Sequence, residues 1–404
     1  MPEPLPAPAT GRDAAERFVA DRLTGLYSDE VAGSESFSGG QGAADAALAG
    51  FNVAGYASSR SEVWPSPRQG ASRLSPYIRH GLLTLPQVWS HVGDKPSRDV
   101  TQFRDELRWQ EYARHWYARL GTVTRHSLRH EPVGSTSVTL NQEMACIDLC
   151  TEELESDGWL VNQARMWMAS HWTVREKGRW QDGEQYFFTH LLDGSRAANR
   201  LGWQWTTGAG SSKQYGFSRW QVEKRAPGLC GQCELSPACP VEHWPEFDDL
   251  PKVEPHPLLR RTYDITAEAG PAAPHRRKTP DVVWLTAESM ALHDPALAAN
   301  PDLPVVFVFD EPLLSSLQLS AKRLVFLVET LAGIAEQREV RLYRDRPRVL
   351  LAGHTPAVTF APVPGFARIA HSLSLGEVHP FPWLSRPTGG SVASFSAWRK
   401  GLGV

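Results

Sequence analysis

Residues 158–205 read GWLVNQARMWMASHWTVREKGRWQDGEQYFFTHLLDGSRAANRLGWQW, and the rest of the chain is arranged around them. The first part, 160–178, has helical character: apolar residues recur through it, it contains no proline, and basic residues gather toward its end. A second helical run is expected over 183–192. Gly194 then lets a short segment carry Arg196, Asn199 and Trp203. Trp167, Trp172, Trp180, Trp203 and Trp205 crowd this one stretch, more aromatic surface than a core of this size needs. Among them lie an arginine, an aspartate and an asparagine, which are costly to bury without partners.

The chain has 404 residues, enough for two or three domains with their own cores. With 41% hydrophobic and 22% charged residues, the composition is that of a globular protein, not of a disordered one. A net charge of −3 excludes a protein-wide basic field, though not a local basic groove. No run of about twenty apolar residues is present, so no membrane span is expected. The first residues lack the basic start and apolar stretch of a secretory signal. Five cysteines, an odd number, fit a reducing cytoplasm better than a disulfide framework. A cytoplasmic monomer is therefore expected.

The central stretch resembles the FAD-binding heart of the photolyase/cryptochrome family, whose pattern runs GW–x–x–N–x–x–R–M, then W–x–x–G–x–x–x–F–x–x–x–L–x–D–G–D–x–A–x–N–x–x–x–W–Q–W. The matching residues are Gly158, Trp159, Asn162, Arg165, Met166, Trp180, Gly183, Phe187, Leu191, Asp193, Gly194, Ala197, Asn199, Trp203, Gln204 and Trp205. So many fixed positions at one spacing are far more specific than a single short motif. The resemblance implies an Arg165–Asp193 ion pair beside the isoalloxazine and Asn199 facing its N5. Ser195 stands where the family has a second aspartate, which removes one anion near the flavin. Asn162 and Met166 are implied to shape a cyclobutane-dimer pocket, since (6-4) photolyases typically carry histidine at both positions. Trp203 and Trp180 match the inner two members of the family's three-tryptophan electron chain. The outermost falls in 122–137, where no tryptophan is present, which leaves Trp167, Trp172 and Trp116 as unassigned candidates.

Upstream, RQGASRLSPYIRHGLLTLPQVW (68–89) places small hydroxyl residues before an apolar run, as at a helix N-terminus. Alone this reads as an ordinary cap. Beside the central motif it resembles the family's pyrophosphate-binding TSxLSPxLxxG segment, which implies phosphate contacts from Ser72, Leu74 and Ser75, with Tyr56 joining from upstream. Ala71 replaces the family's threonine. Next, TQFRDELRWQEYARHWYARL (101–120) is a strong amphipathic helix, in which Glu106 would ordinarily be read as half of a surface ion pair. It resembles the family's E–L–x–W–x–E–F segment at Glu106, Leu107, Trp109, Glu111 and Tyr112. By that resemblance Glu106 hydrogen-bonds a flipped pyrimidine dimer, while Trp109 and Trp205 stack on the splayed bases. Gln110 replaces an arginine.

Cys230, Cys233 and Cys239 form C–x2–C–x5–C–P, with Cys146 and Cys150 available upstream. Four thiolates would suit zinc, whereas the terminal C–P favours an iron–sulfur cluster. One bacterial branch of the resembled family carries a [4Fe–4S] cluster, which implies Cys146, Cys230, Cys233 and Cys239 as ligands. The last gap is shorter than expected for that branch, so zinc stays the alternative.

The chain divides into a partly disordered extension (1–38), a helical FAD-binding domain with the cysteines (39–248), a Pro-rich linker (249–280) and an α/β domain (281–404). VVWL (282–285) and VVFVF (305–309) read as buried parallel strands, with helices at 295–299 and 320–335 and further strands beyond. This last domain resembles the α/β domain that opens the family's chains, so the chain reads as circularly permuted. The arginines of the family's first strand–loop are replaced by Thr286, Glu288 and Met290, which leaves any antenna chromophore unassigned. The expected fold is thus a mainly helical photolyase-type FAD-binding domain followed by a small parallel-sheet, Rossmann-like α/β domain.

The leading function is light-driven electron transfer from reduced FAD to pyrimidine dimers in damaged DNA. The alternative is a cryptochrome-like light or redox sensor without repair, favoured by the near-neutral charge, the shortened 122–137 segment and Gln110. A redox enzyme acting on a small molecule is a third reading.

Overall fold

A computed structural model describes residues 4–93, 97–132, 134, 135, 138, 140 and 143–403. Part of the 122–137 segment, and with it part of the expected position of an outer relay, lies outside the described residues.

The helical half begins with α1 (Arg12–Arg22), α2 (Gln41–Gly50), α3 (Tyr56–Ser59), α4 (Ser75–Arg79) and α5 (Leu85–His91). It continues with α6 (Arg98–Leu120), α7 (Ala145–Ser156), α8 (Asn162–Ser170), α9 (Trp180–His190), α10 (Arg196–Thr207) and α11 (Arg219–Arg225). The remainder holds α12 (Thr266–Ala269), α13 (Pro295–Ala299), α14 (Glu311–Leu317), α15 (Ala321–Ala335), α16 (Pro347–Leu350), α17 (Pro364–Ala370) and α18 (Phe395–Leu402). Its strands are β1 (His275–Arg276), β2 (Val283–Leu285), β3 (Val305–Asp310), β4 (Val340–Asp345), β5 (Ala357–Thr359) and β6 (Glu377–His379).

The longest helix, α6, starts where the Ser97 hydroxyl accepts the Val100 N–H and ends at Gly121, whose φ of 55° the helix cannot continue. The single long run expected over 160–178 is instead α8 followed by one π turn at His171–Arg175. Such a turn widens the helix by a residue and re-aims the side chains it carries, here Trp172.

The sheet has the order β1-β6-β5-β2-β3-β4, all parallel except the antiparallel β1–β6 pair. Its central strands are buried on both faces because successive side chains alternate. Val283, Leu285, Val305, Phe307 and Phe309 enter one core, while Val282, Trp284, Val306 and Val308 enter the other.

Three features differ from the expected division of the chain. Within 4–38, read as a partly disordered extension, α1 packs on α15, and Ala15, Phe18, Val19, Leu23 and Leu26 join the core of the sheet domain. Arg12 pairs with Glu329 at 2.6 Å, and Leu5 donates its N–H to the Leu342 carbonyl on β4. The apolar side of α1 is covered by α15 and by Phe309 of β3, elements far away in sequence.

The 249–280 stretch, read as a linker, also packs. α12 lies on α6, where Arg119 and Glu268 form a two-point ion pair at 2.7 and 2.8 Å with both side chains 5% exposed. Lastly, the two halves share one core rather than a loose joint. Phe326 of α15 meets Tyr77 and His80, and Arg323 donates to the Leu191 and Phe188 carbonyls. Burial pushes the His80 imidazole down to about 3, so its ring is neutral between the Ala287 and Leu192 carbonyls.

Candidate functional site

α10 packs against α6, α8 and α9, so the polar residues of the central stretch meet at their junction. Arg165 Nη2 donates to Asp193 Oδ2 at 2.8 Å, and its Nε donates to the Leu160 carbonyl, which fixes the plane of the guanidinium. Asp193 is buried, and its Oδ1 has no hydrogen-bond partner. A buried carboxylate oxygen left without a donor is costly, so this position fits a bound group that brings one.

Asn199 donates its amide to both the carbonyl and the carboxylate of Glu184, at 2.8 and 2.9 Å. Glu184 in turn pairs with Arg196 at 2.6 Å and Arg200 at 3.6 Å. Sequence reasoning missed Glu184; its only signal was a carboxylate placed directly after Gly183. That glycine has its own reason. A Cβ there would intrude on the Trp203 ring, so only glycine lets α9 and α10 close over it. Ser195 lies half-buried at the N-terminus of α10.

In the 71–79 stretch Leu74 is fully buried. Ser75 Oγ accepts the indole N–H of Trp159 at 3.0 Å, and Ser72 is half-buried. Arg73 adopts a positive φ of 56° and lays its guanidinium over Trp159 and Phe37 at 4.6 and 4.8 Å. Tyr56, expected to join this group, instead donates its hydroxyl to Glu106 Oε2 at 2.6 Å.

Glu106 and Trp109 sit one turn apart on α6. The second oxygen of Glu106 pairs with Arg60 at 2.6 Å, so both its oxygens are engaged. Trp109 is 38% exposed, and one face of its ring stacks on Phe395 of α18, with centroids 4.0 Å apart and planes 9° apart. Asn162 is exposed and Met166 half-buried, a turn apart on α8. Trp205, 44% exposed, lies 6.1 Å from the Tyr215 ring. Exposed aromatic faces and an amide thus lie on α6, α8 and α10, the last packed against the other two.

Trp203 and Trp180 are 2% and 1% exposed. The Trp180 indole donates to Ser127 Oγ, while the Trp203 ring touches Phe187 and Trp172.

Cys146, Cys230, Cys233 and Cys239 line one cavity with Met144 and Arg219. Cys150, one turn further along α7, is fully buried in the aromatic core and does not line it. Burial pushes the Cys146 thiol up to about 12, helped by the other three thiols, whose thiolates would repel its own. A bound cation reverses that balance and holds thiolates. Among the described residues, no three His, Cys, Asp or Glu side chains are arranged to grip a single metal ion. All five cysteines are free thiols. No helix is long and apolar enough to cross a membrane.

The fold is a helical domain docked on a mainly parallel α/β sheet. Residues 103–226 match the family described as the FAD binding domain of DNA photolyase. Deoxyribodipyrimidine photo-lyases are similar over part of their length. That of Synechococcus is 28% identical over 159 residues, covering 35% of this chain and 33% of the relative. That of Vibrio cholerae is 30% identical over 171 residues, covering 36% and 35%, and that of Escherichia coli 27% over 206 residues, covering 45% and 41%. A crystal structure of a class III photolyase from Agrobacterium tumefaciens aligns with a TM-score of 0.42 at 21% identity, over 55% of this chain and 47% of that one. Over residues 103–226 the chain is thus similar to the FAD binding domain of DNA photolyase. It spans about a third to two fifths of the length of these curated relatives.

Proposed function

We propose that the chain is a light-driven DNA repair flavoprotein acting on cyclobutane pyrimidine dimers. The observation that carries this reading is the pair of Arg165 with the buried Asp193, whose free Oδ1 lies in the region that matches the photolyase FAD-binding family. FAD, when bound and reduced, supplies a light-excited electron to the dimer. Arg165 and Asp193 orient the flavin, and Glu184 fixes the Asn199 amide beside it. Ser72, Ser75 and the Leu74 backbone hold phosphate. Glu106 hydrogen-bonds the base edge once it exchanges Tyr56 for the dimer. Trp109 and Trp205 stack on bases taken out of the helix, a step that costs a few kcal/mol and is easiest at a lesion. Cys146, Cys230, Cys233 and Cys239 hold a [4Fe–4S] cluster, which would secure the loop that carries three of them against α7.

The α/β unit is read as the family's usual opening domain moved to the end of the chain. Read along its parallel strands, the order β4-β3-β2-β5-β6 supports this, since it is that of a doubly wound nucleotide-binding sheet. The loop after β2 docks on the helical half, where Glu288 pairs with Arg79 at 2.9 Å, in place of a basic antenna site.

A second reading, a sensor without repair, draws on one observation. Glu106 is tied to Tyr56 and Arg60, and Trp109 is covered on one face by Phe395. The experiment that separates the two is blue-light repair of a thymine-dimer oligonucleotide by protein with reduced FAD. Repair that falls in Glu106→Ala while FAD stays bound supports the enzyme. Wild-type protein that holds reduced FAD yet leaves the dimer intact sinks the repair reading in favour of the sensor.

A further inference from the structure

We propose that Trp172 and Tyr186 carry electrons from the protein surface to Trp203, with Glu155 taking the proton that Tyr186 must release. This rests on FAD binding as read above. It concerns a route that no sequence pattern here specified.

Three rings run in unbroken contact from the interior outward. Trp203 meets Trp172 edge to face, with centroids 6.3 Å apart at 87°. Trp172 lies nearly parallel to Tyr186 at 6.1 Å and 21°. Both geometries are favourable for aromatic pairs. Tyr186 is half-buried on α9, and its hydroxyl donates to Oε1 of Glu155, an exposed residue of α7, at 2.6 Å. Trp203 is sealed from solvent, so an electron taken from it must be replaced through the protein. Trp180, also sealed, ends its N–H on Ser127 in the interior.

The chemistry differs along the array. The indole N–H of Trp172 is held by the Arg179 carbonyl, a poor proton acceptor, so an oxidised Trp172 keeps its proton and its charge. Tyr186 faces a carboxylate at the distance of a strong charge-assisted hydrogen bond. Burial, followed by the hydrogen bond to Glu155 and then its charge, raises the phenol's pKa, so Tyr186 stays protonated until it is oxidised.

The steps balance as follows. FAD, when bound and oxidised, would supply the light-driven one-electron acceptor; Trp203 gives one electron to it, and Trp172 refills Trp203. Tyr186 then passes one electron to Trp172 while its hydroxyl proton moves to Glu155. The products are neutral Trp172, a neutral tyrosyl radical and a protonated Glu155. A thiol in solution returns a hydrogen atom to Tyr186, and the exposed Glu155 releases its proton to water. A base within hydrogen-bond reach is what lets the phenol give up electron and proton together.

The test uses FAD-loaded protein, illuminated without oxygen or added reductant and frozen for electron paramagnetic resonance. Wild type should show a neutral tyrosyl signal, and Tyr186→Phe should lose it. Trp172→Phe should slow photoreduction of the flavin. Glu155→Gln should slow it too and remove its solvent deuterium isotope effect. A tyrosyl signal of wild-type size in Tyr186→Phe, or unchanged photoreduction in Trp172→Phe, overturns the relay. A second arm needs no flavin. In the apoprotein a radiolytic one-electron oxidant is used to oxidise tryptophan, and transfer to tyrosine is followed by absorbance. That transfer should drop in Tyr186→Phe, and equal yields in both proteins count against the relay even where FAD binding itself fails.

Discussion

The Glu111 carboxylate has no solvent around it, and its Oε1 accepts the Ser385 N–H at 2.8 Å. Burial raises its pKa to about 7, only partly opposed by Arg114 and by the backbone of Ser385 and Leu384. The folded protein therefore holds a proton that the unfolded chain releases above its ordinary value. Stability from this group is full below about pH 4.5 and is lost as pH rises toward 7, by on the order of 3 kcal/mol. Glu111→Gln, which keeps the acceptor, should be more stable than wild type at pH 8 and equal to it near pH 4, as measured by urea midpoints. The opposite ordering contradicts the burial account. Arg165→Met leaves Asp193 charged without its partner and should cost about 1.5–3 kcal/mol, seen as a lower melting temperature. Arg165, Asp193 and Asn199 were legible because one fixed spacing carries all three. Glu184 was not, since a lone glutamate on a helix has no signature. The Tyr56–Glu106 bond joins residues 50 positions apart, which no local pattern encodes.

Among the elements, α9 and α10 show how tightly the central stretch is fitted. Gly183→Ala would drive a methyl group into the Trp203 ring, and overpacking of this kind costs about 1–3 kcal/mol. A variant with unchanged thermal stability would mean that the helices can part without strain. The end of α7 and the 230–239 loop make a sharper case. Cys146→Ser and Cys233→Ser should lose about four irons per chain, as counted by metal analysis of protein purified under argon. Cys150→Ser should keep them, because that residue faces the aromatic core. Stoichiometric zinc without iron contradicts the cluster. α6, α15 and β3 were readable from periodicity or unbroken β-branched runs. β1 and β6 were not, for two or three residues cannot display an alternation. The π turn after α8 also leaves no mark in the periodicity of the sequence.

At the scale of the whole molecule, the chain's beginning, middle and end all fold back onto elements far away in sequence. Phe18, Val19, Leu23 and Leu26 are buried against the sheet domain, each worth about 1.5–3 kcal/mol. Together that is comparable with the net stability of a domain, about 5–15 kcal/mol. A chain starting at residue 39 should therefore be insoluble or molten by circular dichroism, whereas a dispensable extension would leave a cooperative transition unchanged. The sequence shows Phe18, Leu23 and Leu26 on one side of a helix, but no local pattern names what covers that side. Its meaning comes from α15. The α/β class itself was legible, because strands buried on both faces must be apolar throughout.

All of these scales converge on one claim, that the junction of α8, α9 and α10 holds FAD. The most direct test is the absorption spectrum of the purified protein beside that of Asp193→Ala, each after incubation with FAD and gel filtration. Flavin bands at one per chain in wild type, lost or strongly weakened in Asp193→Ala with the fold intact by circular dichroism, are the predicted result. Wild-type protein that emerges folded and without flavin, or a variant that retains it equally, would contradict the account.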